Sequence, residues 1–190
     1  MTFPQFRTEL FQLKKAFFEF HQGLEYIKAR YFESRKIFTL KKPLGAHITN
    51  HNLSIHILTG SSHLVMMLWA MASFYTHINT VGQLYIHNDG SLSDKDKEIL
   101  KDFFPLSIII DPQDVVHQYR ANIRVHFPDF LLLKKLIDPY YVSSKRFRLI
   151  VDSDLLWFQR PNVIEDEIHN ECKRSLMMQN NAPLYVYLKG

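Results

Sequence analysis

Cysteine is almost missing from this chain. Cys172 is the single one, which excludes an internal disulfide and a zinc cage built from cysteines within one chain. That usage fits a reducing compartment, and a cytoplasmic location is the expectation. Neither G-x-x-x-x-G-K-S/T nor G-x-G-x-x-G occurs, which argues against a P-loop enzyme and a Rossmann dehydrogenase. The N-terminus has no apolar core of a secretory signal. The longest nearly apolar run, Leu64 to Tyr75, is too short to span a bilayer as a helix, so a soluble chain is expected. Internal repeats and low-complexity segments are absent as well.

What remains is an ordinary globular composition. The chain has 190 residues, 46% hydrophobic and 22% charged, enough for one domain with a real core. The net charge of +4 permits contact with phosphates or anionic lipid; for nucleic acid it is the sole argument, and no nucleic-acid partner is expected. Basic residues gather early. Residues 1–42 carry nine Lys and Arg against four Glu.

Between Pro4 and Arg35 apolar residues recur at helical spacing: Phe6, Leu10, Leu13, Phe17, Phe20, Leu24, Ile27 and Tyr31. This predicts one long amphipathic helix, or two broken near Gly23. Residues 41–52, with Pro43 and Gly45, read as a linker. Residues 1–50 are therefore expected to form a helical arm and linker, and 51–190 a second unit. The favoured role for the aromatic stripe of the arm is docking on that unit. A peripheral membrane contact, with Lys14 and Lys15 beside the phenylalanines, is the second.

From Leu53 the pattern alternates. Strands are predicted at Leu53–Thr59, Gln83–His87, Ser107–Ile110 and Arg146–Val151. Helices are predicted at His63–Tyr75, capped by the hydroxyls of Ser61 and Ser62, then from Ser93 to about Phe103, over Gln113–Val125, and over Phe130–Val142 despite Pro139. Alternation of this kind argues for an α/β fold with a mostly parallel sheet flanked by helices. Ligands of such sheets sit outside the C-terminal strand ends, which singles out residues 59–62, 87–90, 111–113 and 152–154. Three of these four loops contain an Asp.

The segment Arg146 to Asp154 is the most informative. An apolar strand runs into Asp152-Ser153-Asp154. In extended backbone, residues two apart point to one side, so both carboxylates could face one ligand. Mg²⁺ and Mn²⁺ take oxygen donors of this type and complete their shells with phosphate and water.

Leu149 to Asp154 followed by Trp157-Phe158-Gln159-Arg160-Pro161 resembles the D-x-D region of GT-A glycosyltransferases, closest to glycogenin-like (family 8-like) enzymes. Ile57-Leu58-Thr59-Gly60 before the Leu68–Tyr75 helix, and Ile86 to Leu92, agree with it. The resemblance covers roughly residues 53–165. It implies a GT-A, Rossmann-like domain that transfers a sugar from a nucleoside diphosphate, uridine favoured, to an unknown glycan, lipid or protein acceptor. It implies Mn²⁺ or Mg²⁺ as cofactor, with Asp154 a direct ligand and Asp152 binding the cation, the ribose or both. Thr59, Gly60, Ser61 and Ser153 would lie against the donor. Asp89 is a candidate for a base or ribose hydrogen bond, or else a turn residue before Gly90. Lys134 and Lys135 stand where such enzymes place a basic residue near the donor, or else on a solvated helix face.

The resemblance also implies a further metal ligand, often His, well downstream. Only 36 residues follow Asp154, and His169 is the sole His among them. The expectation is thus a chain incomplete at its C-terminus, lacking the acceptor part, with residues 184–188 a strand without its sequel. A non-catalytic or truncated nucleotide-sugar-binding module is the alternative. A haloacid-dehalogenase-type phosphatase is disfavoured by Leu155-Leu156 after the second Asp. His47, His51 and His56 show no matched ligand spacing, and His56, between Ile55 and Ile57, reads as a packed histidine. His117, His126 and His169 share no spacing, and Cys172 reads as structural.

Overall fold

A computed structural model of the protein describes residues 3–115 and 131–171. The expected helix at Gln113–Val125 lies outside these from residue 116 on, as do His117, His126, Cys172, the strand expected at residues 184–188 and the side chain of Lys134. Residues 113–115 are turn and coil rather than helix.

Four strands form one parallel sheet among the described residues: β1 (Leu53–Thr59), β2 (Gln83–Asn88), β3 (Ile108–Ile110) and β4 (Phe147–Val151), in spatial order β3-β2-β1-β4. Helix α3 (Leu64–His77) links β1 to β2, α4 (Asp94–Phe103) links β2 to β3, and α5 (Leu131–Val142) precedes β4. The chain therefore steps outward twice from β1 and then crosses to its other side. Right-handed crossovers place the first two helices on one face and α5 on the opposite one.

Burial agrees with that assignment. In β1, Leu53, Ile55 and Ile57 face one way and share a core with Leu84 and Ile86 of β2, Met67, Leu68 and Met71 of α3, and Leu100 and Phe103 of α4. The other face of β1 and β2 carries Ser54, His56, Tyr85 and His87, all buried. A two-residue side-chain period separates these sets. The expected α/β architecture is thus present, with strand limits displaced by a residue or so.

Local chemistry explains the helix starts, with one correction. Ser93 caps α4 in a capping box: its hydroxyl accepts from the Asp96 amide, and the Asp96 carboxylate accepts from the Ser93 amide. This satisfies two otherwise orphaned donors. The expected cap of α3 by Ser61 and Ser62 is not made. Residues Ser61–His63 form a 3-10 turn, and the Ser61 hydroxyl is drawn away to the Ser91 carbonyl and Asp96. The rotamer that makes these donations leaves the Ser61 oxygen without a bond from the helix amides.

The segment after β4 is tied back to the core. The Trp157 amide donates to Ser73 Oγ at 3.1 Å, and its ring meets Phe74 edge-on at 5.3 Å. Helix α6 (Asn162–His169) carries Glu165, 1% exposed. Its carboxylate accepts from the Asn79 and Thr80 amides at 2.6 and 3.0 Å, and from the Arg160 guanidinium. Burial alone would raise the Glu165 pKa, but these donors outweigh it and hold the group below its ordinary value. Removing the carboxylate strands two backbone donors in the turn before β2. Glu165→Ala is expected to cost about 2–4 kcal/mol in denaturant unfolding, and Glu165→Gln, which keeps an acceptor, clearly less. Equal losses would show that the ion pair with Arg160 matters and the backbone clamp does not.

The N-terminal arm breaks as expected near Gly23. Helix α1 (Phe3–Phe18) turns back into α2 (Gly23–Ile27), which continues as a π-helical turn, Lys28–Glu33, and a 3-10 turn, Ser34–Thr39. That last turn is built into the main body: Ile37 is fully buried, and the Trp69 indole donates to the Ser34 carbonyl at 2.8 Å. Docking of the aromatic stripe on the main unit is not seen among the described residues, which leave out the side chains of Phe3 and Phe6. Leu10, Phe11, Phe17, Phe18, Phe20 and Leu24 stand exposed, because α1 spends its inner face on the π-helical turn and α2.

Candidate functional site

The order β3-β2-β1-β4 reverses direction between β1 and β4. At such a switch the two following loops diverge and leave a crevice outside the carboxyl ends of the strands. The loop on one side begins Thr59-Gly60-Ser61; the loop on the other is Asp152-Ser153-Asp154. Pairing of Ile57 with Val151, and of Thr59 with Asn88, brings these loops and Asp89 to one edge.

On the β4 side, Asp152 is the first residue beyond the strand, and Ser153 and Asp154 form a turn. The extended D-x-D expected from sequence is corrected to a strand end followed by a turn, with the Leu155 amide 3.4 Å from the Asp152 carbonyl. The cause is the next anchor. Leu155 and Trp157 pack on the core, so the chain must bend at once. Asp152 and Asp154 are exposed and Ser153 half-exposed.

Lys135 joins this corner. Helix α5 runs back across the sheet, so its second turn overhangs the C-terminal edge. There the Lys135 ammonium, 13% exposed, pairs with an Asp152 carboxylate that is 66% exposed. Burial lowers the Lys135 pKa, and Asp154 acts in the opposite sense. The far end of α5 is fastened by Arg148, whose guanidinium donates to the Ser143 carbonyl at 2.7 Å and lies 4.9 Å over Tyr140. Arg148 thus serves as a cation at a helix C-terminus.

On the β1 and β2 side, Thr59 and Gly60 are buried, which limits their contribution to the backbone, while Ser61 is partly exposed. Asp89 Oδ1 accepts from the Ser91 amide and hydroxyl at 2.8 and 2.6 Å. That is the turn role, completed by Gly90 at φ 106°. The Asp89 carboxylate also presses on Gly60. A Cβ there would fall 2.1 Å from Asp89 Oδ2, so only glycine lets the two loops close. Ser91 links the loops again, accepting from the Ser61 amide at 3.0 Å.

Two groups were given no partners by the sequence reading, although it singled out the loop at 111–113 and read His56 as packed. Asp111 at the end of β3 is bound by Asn88 Nδ2 at 2.6 Å and Lys97 Nζ at 2.7 Å, and these donors lower its pKa. A shallow cleft beside it is lined by His87, Asn88, Asp111 and Asp138. The second group is a buried polar chain under α5. Ser54 Oγ donates to the Phe147 carbonyl at 3.1 Å. His56 Nε2 must then donate to Ser54 Oγ at 2.9 Å, which leaves His56 Nδ1 to accept from His87 Nε2 at 3.0 Å. His56 also stacks on Tyr85 at 4.9 Å. The alternation of polar residues in Ser54-Ile55-His56 and Tyr85-Ile86-His87 was the available signal.

The balance of charge at this edge decides what can bind. Asp89, Asp111, Asp152 and Asp154 face Lys97 and Lys135 among the described residues, and both lysines are already paired with carboxylates. Among the described residues this edge is net negative. Asp152 and Asp154, accessible oxygens at one turn, suit a hard cation that takes its other ligands from a diphosphate and water. No group of three or more His, Cys, Asp and Glu gathers among the described residues, so neither His169 nor another described residue of these four types supplies a third ligand there. His169 lies instead beside Thr80, 3.4 Å from its hydroxyl. No family model matches the chain, and no curated protein matches it.

Proposed function

We propose that the edge between β1 and β4 binds a nucleoside-diphosphate sugar together with Mn²⁺ or Mg²⁺, and that the chain belongs to a glycosyltransferase of the GT-A kind. Uridine is the favoured base, and the acceptor is a glycan, lipid or protein. One observation carries the reading. The strand order and register bring Asp152, Asp154 and Lys135 to the same sheet edge as the Gly60–Ser61 loop.

In this reading Asp152 and Asp154 hold the cation, which when bound supplies positive charge for a departing diphosphate. Lys135 exchanges its carboxylate partner for a phosphate oxygen and adds a second positive charge at the same place. Its partly buried position strengthens that contact relative to water. Gly60 leaves room for the Asp89 carboxylate, so the first loop lies close against the Asp89 turn at the same edge. Trp157 and Leu155, packed in the core, hold the metal-binding turn in place.

Calorimetric titration with UDP and with GDP, in Mn²⁺ and in EDTA, tests the proposal. Saturable UDP binding that requires Mn²⁺ is expected, followed by slow release of sugar from the donor in a hydrolysis assay. Binding without hydrolysis would leave a nucleotide-sugar-binding module. Absence of binding to either nucleotide in Mn²⁺ would end the proposal.

A further inference from the structure

The arm has its own chemistry, independent of the sheet edge. At roughly 100° per residue, Glu9, Leu13 and Ala16 fall on one side of α1. That side is the inner one: Ala16 is 5% exposed. Glu9 is held there by the Arg30 guanidinium at 3.1 Å, Tyr31 Oη at 2.8 Å and Tyr26 Oη at 3.5 Å. Glu9 is also the sole acidic residue of the helix. The fold thus takes the helix's one negative charge and neutralises it inside the hairpin.

The opposite side collects Arg7, Leu10, Phe11, Lys14, Lys15, Phe17 and Phe18 within about half of the helical circumference. All but Lys15 are exposed, Phe18 at 73%. Lys15 lies 5.1 Å from the Phe11 ring and 3.8 Å from Glu19, just past the helix end. Phe20 at 63% and Leu24 at 74% extend the apolar surface around the turn. Basic and large apolar side chains alternate on this face, which holds three cations and no acid of the helix. An ordinary solvated face would pair its charges and hide its rings.

We infer that this outer face of α1 docks on an anionic membrane surface, with the phenylalanines in the headgroup–acyl boundary and Arg7, Lys14 and Lys15 at the phosphates. Charge selects this occupant. A second copy would oppose three cations to three cations. A bilayer with anionic headgroups supplies both the negative potential that the lysines meet and the apolar layer that the rings enter. Long lysine stems let the ammonium groups reach the phosphates while the helix lies at the depth of its rings. Among the described residues no helix is long and apolar enough to cross a membrane, so the contact is peripheral.

Flotation of the full chain with vesicles tests this. Phosphatidylcholine vesicles with and without one-third phosphatidylserine serve as probes, at low and at high salt. Binding to the anionic vesicles at low salt is expected, weakened by salt and much weaker on the neutral ones. Lys14→Glu with Lys15→Glu should reduce binding at least about tenfold, since each basic residue near such a surface contributes roughly 1 kcal/mol. Phe17→Ser with Phe18→Ser should reduce it as well. All four positions are at least partly exposed, and unchanged circular dichroism and melting would confirm that the variants fold. No flotation at low salt overturns the inference. So does binding that neither pair alters, or self-association in sedimentation that the phenylalanine pair abolishes, which would assign the face to a second copy.

Discussion

Asp154→Ala is expected to remove the Mn²⁺-dependent part of UDP affinity, by about 100-fold or more. Partners one shell away from a metal typically cost 10- to 100-fold when removed, and a direct ligand should cost no less. The sign of the residual effect is informative. In EDTA the same substitution deletes a negative charge from an acidic edge, so metal-free UDP affinity should stay equal or rise. Lys135→Ala acts differently, because its ammonium would touch phosphate with or without the cation. It should weaken binding in both Mn²⁺ and EDTA. Titrations of the two variants in the two buffers separate these roles. Equal affinity of Asp154→Ala and the unaltered protein in Mn²⁺ would remove that carboxylate from the site.

Acid should unfold the protein early, and His56 should be a main cause. Its imidazole is 1% exposed, and burial, with the neighbouring His87 and Arg148, pushes its pKa down to about 3 from 6.5. The folded value lies below the free one. The unfolded chain therefore takes up a proton as the pH drops below 6.5, while the folded chain does not until about 3. Stability is intact above that window and is lost through it, at about 1.4 kcal/mol per pH unit for one proton. Over the two units below 6.5 the loss approaches about 2.5 kcal/mol. Glu165 adds its own loss lower, as the pH falls from 4.5 toward its depressed folded value. Urea unfolding across this range should show a slope reduced by close to one proton in His56→Gln. The glutamine keeps a polar side chain in the chain between Ser54 and His87 but cannot titrate. An unchanged slope would place the acid sensitivity elsewhere.

One substitution probes the C-terminal edge of the sheet, the other the face beneath α5. The apolar face of the sheet packs on α3 and α4 and needs little explanation beyond burial. The face under α5 carries Ser54, His56, Tyr85, His87 and Arg148, whose bonds must be satisfied in a dry place. The same helix brings Lys135 to the edge. Loss of order on that face should therefore loosen the site as well as the fold.

Much of this was determined by the order of residues alone. The two-residue alternation of β1 and β2, the β-branched run before Asp152, the Ser93–Asp96 cap and the break near Gly23 are local signals. Each acts through backbone geometry within a few residues, so strands, helices and the parallel α/β arrangement could be read directly. Three things could not. The bend that follows Asp152 depends on Leu155 and Trp157 finding the core, which a strand-and-motif reading does not weigh. Ser61 does not cap the helix after it, because its side chain turns to donate to Asp96, 35 residues away. The exposure of Phe17 and Phe18 follows from Glu9 meeting Arg30 and Tyr31, a contact that decides which face of an amphipathic helix turns inward. In each case partners distant in sequence compete with local preference, and only their arrangement in space shows which one prevails.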